Sequence, residues 1–190
     1  MTDLQNFLQA AAFAARKHRL QKRKDAEASP YINHPLEVAA ILAGDGGVTD
    51  VLTLVAAVLH DTLEDTETTP AELATVFGPA IRDLVQEITD DKSLVKAERK
   101  MRQAAGAPRL SDRAKLIRIA DKIANAHDVI HHPPAHWDLK RRRDYLEWTA
   151  EVVAGCRGVN ARLEAAYDQT LQEGRPILEA QLQSEILEPP

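Results

Sequence analysis

The stretch Leu59-His60-Asp61-Thr62-Leu63-Glu64-Asp65-Thr66 contains four side chains that can bind a metal ion or transfer a proton. His60 and Glu64 are four positions apart, as are Asp61 and Asp65, so on a helix each pair shares one face. An apolar run lies directly before them. Because His, Asp and Glu are costly to bury without partners, the stretch predicts a polar site at the end of a buried helix.

The sequence on both sides of this stretch has the periodicity of α-helices. Ala, Leu, Glu, Lys and Arg dominate, and apolar residues of the segment after Ser111 recur at helical spacing. There are no alternating strand patterns with hairpin turns between them. We therefore expect an all-α fold, a single bundle of roughly eight to ten helices. One helix is predicted from about Asp50 to Leu63, and the last long one is predicted to end near Gly174.

Length and composition fit one ordinary domain. The 190 residues contain one cysteine, Cys156, which excludes an internal disulfide and suits a reducing compartment. The apolar stretches are far shorter than the roughly 20 residues that cross a bilayer, and no signal peptide is evident. We expect a soluble, cytoplasmic protein with no membrane partner. The net charge of −5 argues against nucleic-acid binding, although a small anionic substrate depends on local charge.

Two further residues extend the polar site. His34 lies in Tyr31-Ile32-Asn33-His34-Pro35, immediately before a predicted helix start, and Asp121 lies on an otherwise apolar helix. Imidazole and carboxylate together suit a divalent ion such as Mn²⁺, Fe²⁺, Zn²⁺ or Mg²⁺. Such an ion can activate water and neutralise phosphate. Alone, His34 could equally serve helix capping, and Asp121 could be a salt-bridged acid of the core.

The spacing His34, His60-Asp61, Asp121 resembles that of the HD phosphohydrolases. More closely, the chain is similar to the hydrolase domain of RelA/SpoT-type alarmone enzymes in its stand-alone form, the small alarmone hydrolases. The similarity covers about residues 4–175. The segments that carry it are Ala12–Arg19, Arg23-Lys24, Pro30–Pro35, Ala57–Thr66, Thr89–Lys92, Lys115–Asn125, Tyr145, Glu147, Trp148 and Gly158–Leu163.

The resemblance implies a fold, a metal and a reaction. It implies an HD-type hydrolase domain over residues 1–175, followed by a C-terminal tail or short helix over 176–190. It implies one Mn²⁺ ion, although other divalent ions are possible, and removal of pyrophosphate from the 3′ position of ppGpp or pppGpp. The metal ligands that it implies are His34, His60, Asp61 and Asp121.

The resemblance also implies roles for residues around the metal. Glu64 is expected to act as general base and Asp65 as its partner or a water-orienting group, and the two roles could be exchanged. Arginine can stack on a base and bind phosphate through two hydrogen bonds, whereas lysine acts as a point charge. The expected substrate contacts are Arg23, Lys24, Asn125, Lys96, Arg141 and Tyr145. The basic residues among them could also be ordinary solvated charges.

Several alternatives stay open. A relative of this type could remove the 2′-phosphate of NADPH or act on another nucleotide. A non-catalytic nucleotide sensor is a rival, although the complete set of polar residues argues against it. A homodimer is possible. The nearly all-polar segment from Lys96 to Ala105 is predicted as a mobile, solvent-facing arm. His131-His132 could bind a metal adventitiously or be plain surface residues.

Overall fold

The computed structural model describes residues 2–187, with side chains as far as residue 183. Within that range there is no β-sheet, and one isolated bridge pairs Lys22 with Pro30. The all-α prediction is confirmed. No described helix is long and apolar enough to span a membrane. The α-helices of this range are α1 (Asp3–Lys17), α2 (Asn33–Ala43), α3 (Val51–Leu59), α4 (Thr62–Asp65), α5 (Pro70–Phe77), α6 (Pro79–Glu87), α7 (Lys96–Gly106), α8 (Asp112–His131), α9 (Leu139–Cys156) and α10 (Ala161–Leu187).

Helix α8 lies at the centre of the bundle. The side chain of Ser111 caps its first turn by accepting a hydrogen bond from the backbone N–H of Ala114 at 3.3 Å. The helix then packs against α2, α3, α9 and α10. Because neighbours surround it, even its charged residues Asp121 and Lys122 are buried. A site built on this helix is therefore enclosed by the core.

The predicted helix from Asp50 to Leu63 is wrong, because the chain breaks between α3 and α4. At the break, two side chains form hydrogen bonds with backbone carbonyl groups. Thr62 Oγ1 donates to the Leu59 carbonyl at 2.6 Å, and His60 Nδ1 bonds the Ala57 carbonyl at 2.8 Å. Side-chain donors thus replace the backbone donors that would continue the helix.

The predicted free arm is a docked helix. Helix α7 packs on α9 and on the short 3₁₀ turn that follows it. The indole Nε1 of Trp148 donates to the carbonyl of Lys100 at 3.0 Å. None of the residues of α7 is fully buried, so the helix still faces solvent on one side.

The last helix does not end near Gly174, which corrects the sequence prediction. Helix α10 continues through Pro176 to Leu187, and Leu178 is buried against the body. A Cβ atom at Gly174 would lie 2.1 Å from Cδ1 of Ile130, so glycine allows α10 to approach α8 closely. The expected domain limit at residue 175 falls inside this unbroken helix. Residues 188–190 lie outside the described range.

We predict that Gly174→Ala destabilises the protein by about 1–3 kcal/mol, because the added methyl group overlaps Ile130. This loss must exceed the roughly 1 kcal/mol that alanine gains over glycine in a helix interior. Gly106→Ala is the matched control, since a Cβ atom there meets nothing within 4 Å. Urea unfolding measures both variants. Equal stability of the two would show that close helix packing does not require Gly174.

Candidate metal centre and active site

Four buried or nearly buried side chains converge where α2, α8 and the turn between α3 and α4 meet. His34 Nε2 lies 3.2 Å from Asp121 Oδ1 and 3.8 Å from Asp61 Oδ2. His60 Nε2 lies 3.1 Å from Asp61 Oδ1 and 3.9 Å from Asp121 Oδ1. One ligand atom each from His34, His60 and Asp121 fall within 4.8 Å of one another. The structure thus brings together His34, His60, Asp61 and Asp121, the four residues that the resemblance implies as metal ligands.

The donor set of this cluster fits a divalent metal ion. Since a carbonyl oxygen only accepts, the hydrogen bond to Ala57 places the proton of neutral His60 on Nδ1. The lone pair on Nε2 then points into the cluster, and this buried atom has no hydrogen-bond partner among the described residues. Imidazole nitrogens and carboxylate oxygens facing one another need a cation between them, and a divalent ion supplies it.

Asp121 is held from outside the cluster by two neighbours on its own helix. Lys122 Nζ donates to its Oδ2 at 2.7 Å, and Asn125 Nδ2 donates to its Oδ1 at 2.6 Å. Burial favours the neutral acid, but the charge of Lys122 and the contact with His34 hold the pKa of Asp121 well below its usual value. The carboxylate therefore stays ionised and fixed in direction, as a metal ligand requires.

Glu64 and Asp65 follow the cluster in sequence but lie in different surroundings. One carboxylate oxygen of Asp65 is ion-paired with Lys92, and the other lies 3.1 Å from the Tyr31 hydroxyl. The same hydroxyl lies 2.7 Å from Asp61 Oδ2. Tyr31 thus connects Asp65 directly to the metal cluster. Adjacent residues of one helix point in different directions, so Glu64 and Asp65 of α4 have different neighbours.

Glu64 is enclosed by the loop after α6 and by α7. The backbone N–H of Asp90 donates to Oε2 at 3.2 Å, and Arg99 Nη1 lies 3.5 Å from Oε1. Arg118 fixes this loop by donating to the Asp90 carboxylate at 3.1 Å. Burial raises the pKa of Glu64 to about 7, and the negative charges of Asp90 and Asp61 contribute to this rise. A carboxyl group with this pKa can accept and release a proton near neutral pH.

A cavity of about 530 Å³ adjoins the cluster through Asp65 and Tyr31. This volume is typical of sites that bind small molecules. Cationic side chains outnumber acidic ones in its wall. The lining residues are Gln21, Lys22, Arg23, Lys24, Asp25, Tyr31, Asp65, Lys92, Lys96, Asn125, Asp128, Val129, His132, Pro134, Trp137 and Tyr145.

Five of the six predicted substrate contacts line this cavity, and Arg141 does not. Arg141 lies instead over the ring of Trp137, one of the lining residues, at 4.5 Å from the ring centroid. The guanidinium of Arg23 is ion-paired with Asp128 of α8, so it is held in place. Asn125 lines the cavity while its amide donates to Asp121, which leaves its carbonyl oxygen for another partner.

Three aromatic rings form one side of the site. Tyr145 packs between Trp137 and Trp148, with ring centroids 5.3 and 5.2 Å away. Lys96 lies over Trp137 at 5.4 Å, and Lys122 lies over Trp148 at 4.6 Å. The cation–π contact of Lys96 holds its positive charge at the cavity without neutralising it, whereas Lys122 is also ion-paired with Asp121.

The sequence analysis assigned no role to several residues that complete the site. Tyr31 and Lys122 contact predicted site residues and lie three residues and one residue from His34 and Asp121, so their sequence positions were an available signal. Lys92 contacts Asp65 from a distant position, and its only signal was its place in the recognised segment Thr89–Lys92. Asp128 and Trp137 offered no such signal, because their partners Arg23 and Lys96 are distant in sequence. Only the folded chain brings them together.

Comparisons with known proteins agree with this geometry. A family model described as "HD domain" matches residues 10–167. The guanosine-3′,5′-bis(diphosphate) 3′-pyrophosphohydrolase MESH1 of Mus musculus is 49% identical over 172 residues, which are 90% of this chain and 96% of the relative. Its namesake from Homo sapiens is 50% identical over 165 residues, covering 87% of this chain and 92% of the relative.

Solved structures give the same result. A structure described as a metazoan orthologue of SpoT that hydrolyses ppGpp has a TM-score of 0.86 and 43% identity, covering 88% of this chain and 94% of its own. A protein of Listeria monocytogenes EGD-e has a TM-score of 0.62 and 28% identity, covering 77% of this chain and 99% of its own. The chain therefore belongs to the HD-domain hydrolases, in the family of the MESH1 pyrophosphohydrolases.

Proposed function

We propose that this protein is a Mn²⁺-dependent hydrolase that removes pyrophosphate from the 3′ position of ppGpp and pppGpp. The relatives that share about half of its residues carry that activity in their names. The observation that carries the proposal is the Tyr31 hydroxyl, which touches both Asp61 of the metal cluster and Asp65 of the cavity wall. A nucleotide in the cavity would have a phosphate beside the cluster.

The proposed metal ligands are His34, His60, Asp61 and Asp121. Two imidazoles and two carboxylates suit Mn²⁺ among the available divalent ions, although they do not select it uniquely. When bound, the ion supplies an activated water and positive charge at the phosphate. Lys122 keeps Asp121 ionised from the side away from the cluster.

Glu64 and Asp65 divide the proton transfer in this proposal. In the reaction, water oxygen bonds to the phosphorus next to the ribose, and the bond from that phosphorus to the 3′ oxygen breaks. Glu64, with its pKa near neutrality, accepts the proton of the water and then passes a proton to the departing 3′ oxygen, which becomes the 3′ hydroxyl. Asp65, fixed by Lys92 and Tyr31, orients the water.

The cavity wall accounts for the preference for a highly charged nucleotide. Arg23, Lys24 and Lys96 all line the cavity, and all three are cationic. Arg23 is prearranged by Asp128, so little side-chain entropy is lost when a phosphate binds. Tyr145 and Asn125 provide a ring and an amide for the ribose or the base. Arg141 would act through Trp137 and Lys96, or reach a long substrate only at the cavity mouth.

The proposal predicts turnover of ppGpp in the presence of Mn²⁺ and its loss when the metal is chelated. Ion-exchange chromatography of the released pyrophosphate and GDP measures the reaction. NADPH is the comparison substrate, because it also has a ribose phosphate beside a diphosphate. Consumption of NADPH with no turnover of ppGpp would replace the proposed substrate. Binding of ppGpp without any hydrolysis in Mn²⁺-loaded protein would instead indicate a nucleotide sensor.

Two variants should separate metal binding from proton transfer. We expect His60→Ala to lose bound Mn²⁺ and activity together, since it removes a ligand with an unpaired nitrogen. Glu64→Gln should keep the metal and lower kcat by about 10²–10⁴-fold, as expected for a lost general base. Metal analysis by mass spectrometry and steady-state kinetics give both numbers. Full activity of Glu64→Gln would assign the base to Asp65 or to neither residue.

The charge of Asp90 should set the pH dependence. Glu64 acts as base only when deprotonated, so activity falls as the pH drops through its pKa. Asp90→Asn removes a negative charge that raises this pKa, so the acid limb of kcat/KM should move to lower pH. Asp91→Asn is the control, because this exposed neighbour bonds Ser93 and not Glu64. A profile of Asp90→Asn that matches that of Asp91→Asn would contradict this role.

A further inference from the structure

Two histidines at the end of α8, His127 and His131, take no part in the site described above, whereas His132 lines its cavity. His127 and His131 are four positions apart on the helix, and their ring centroids are 4.6 Å apart with a 47° angle between the planes. His132 is farther from His127, at 6.1 Å. All three are exposed. Two imidazoles on successive turns of one helix can bind the same metal ion, as in helical zinc motifs.

Both rings of the pair are available as ligands. Within the described part of the chain, neither the His127 ring nor the His131 ring has a hydrogen bond or an ion pair. Partial burial and the neighbouring His127 and His132 lower the pKa of His131, so its ring is neutral at neutral pH. A neutral imidazole offers its lone pair to a metal without first losing a proton.

Two carboxylates act electrostatically on the histidine pair. Glu37 of α2 interacts electrostatically with His127, and Glu173 of α10 does so with His131. The side chain of Glu173 is held by Gln169, whose Nε2 donates to it at 2.9 Å. The negative charges of Glu37 and Glu173 favour the binding of a cation by the two imidazole rings.

The pair is separate from the HD cluster. Along α8, His127 and His131 lie about 9 and 15 Å beyond Asp121, given 1.5 Å of rise per residue. At about 100° per residue they lie roughly a quarter to a third of a turn away from the face that carries Asp121 and Asp128. Neither histidine of the pair lines the cavity or belongs to the cluster of His34, His60 and Asp121, so an ion held by the pair would share no ligand with the HD centre.

We propose that His127 and His131 form a second metal site, which takes a transition-metal ion of the Zn²⁺, Ni²⁺ or Cu²⁺ class. Imidazole pairs prefer these ions to Mn²⁺ and Mg²⁺, so the site differs in selectivity from the HD centre. Binding links the last two turns of α8, which include Asp128, the partner of Arg23. The site thereby stabilises the helix end that supports the cavity wall.

Equilibrium dialysis of tag-free protein against Ni²⁺ tests this inference. His131→Ala should bind one equivalent fewer than the wild type, or bind it at least about tenfold more weakly. The loss should persist in the His60→Ala background, where the HD centre is already disabled. His136→Ala is the matched control, because this exposed histidine lies in the loop after α8 and should leave the bound equivalents unchanged.

Thermal unfolding provides a second measurement on the same proteins. Ni²⁺ should raise the Tm of His60→Ala, since an ion that binds only the folded state stabilises it, and His60→Ala/His131→Ala should not respond. Equal Ni²⁺ binding by His131→Ala, His136→Ala and the wild type would refute the second site. Because bound metal and Tm are measured, the result is independent of ppGpp turnover.

Discussion

The burial of ionisable side chains at one point of the core constrains the rest of this structure. His34, His60 and Asp121 are almost fully removed from solvent, and Asp61 is close to it. Moving a charged group from water into a protein costs of the order of several kcal/mol, even after relaxation. The fold meets this cost with Lys122 on Asp121 and a donor set that a cation completes. The bundle is therefore organised around a polar centre that apolar packing alone would not stabilise.

This constraint also explains the break between α3 and α4. An unbroken helix would keep His60 and Glu64 on one face, next to each other. In the structure, His60 bonds the Ala57 carbonyl and turns its Nε2 to the cluster, while Glu64 reaches the Asp90 loop. Residues close together in sequence thus face the polar cluster, the cavity and the Asp90 loop. Local irregularity at a functional site is stabilised by the surrounding packing.

The sequence predicted what depends on local spacing. The all-α class, the start of α8 after Ser111 and the four clustered polar residues all follow from periodicity, capping and motif, and the structure agrees. It did not predict what depends on distant partners. Gly174 was interpreted as a helix end because a C-terminal glycine and a close-packing glycine are alike in sequence. Only the position of Ile130 distinguishes them.

Helix α8 shows both local spacing that the sequence predicts and contacts with residues distant in sequence. Asp121, Asn125 and Asp128 follow one another at spacings of four and three, so a single helical stripe supplies a cluster carboxylate, an amide at the cavity and the acid that holds Arg23. His127 and His131 form a second stripe with the same periodicity. A rigid helix fixes the distance between these stripes, whereas a loop would not. The periodicity that made α8 predictable is therefore also what keeps the cluster carboxylate, the cavity wall and the histidine pair at fixed distances from one another.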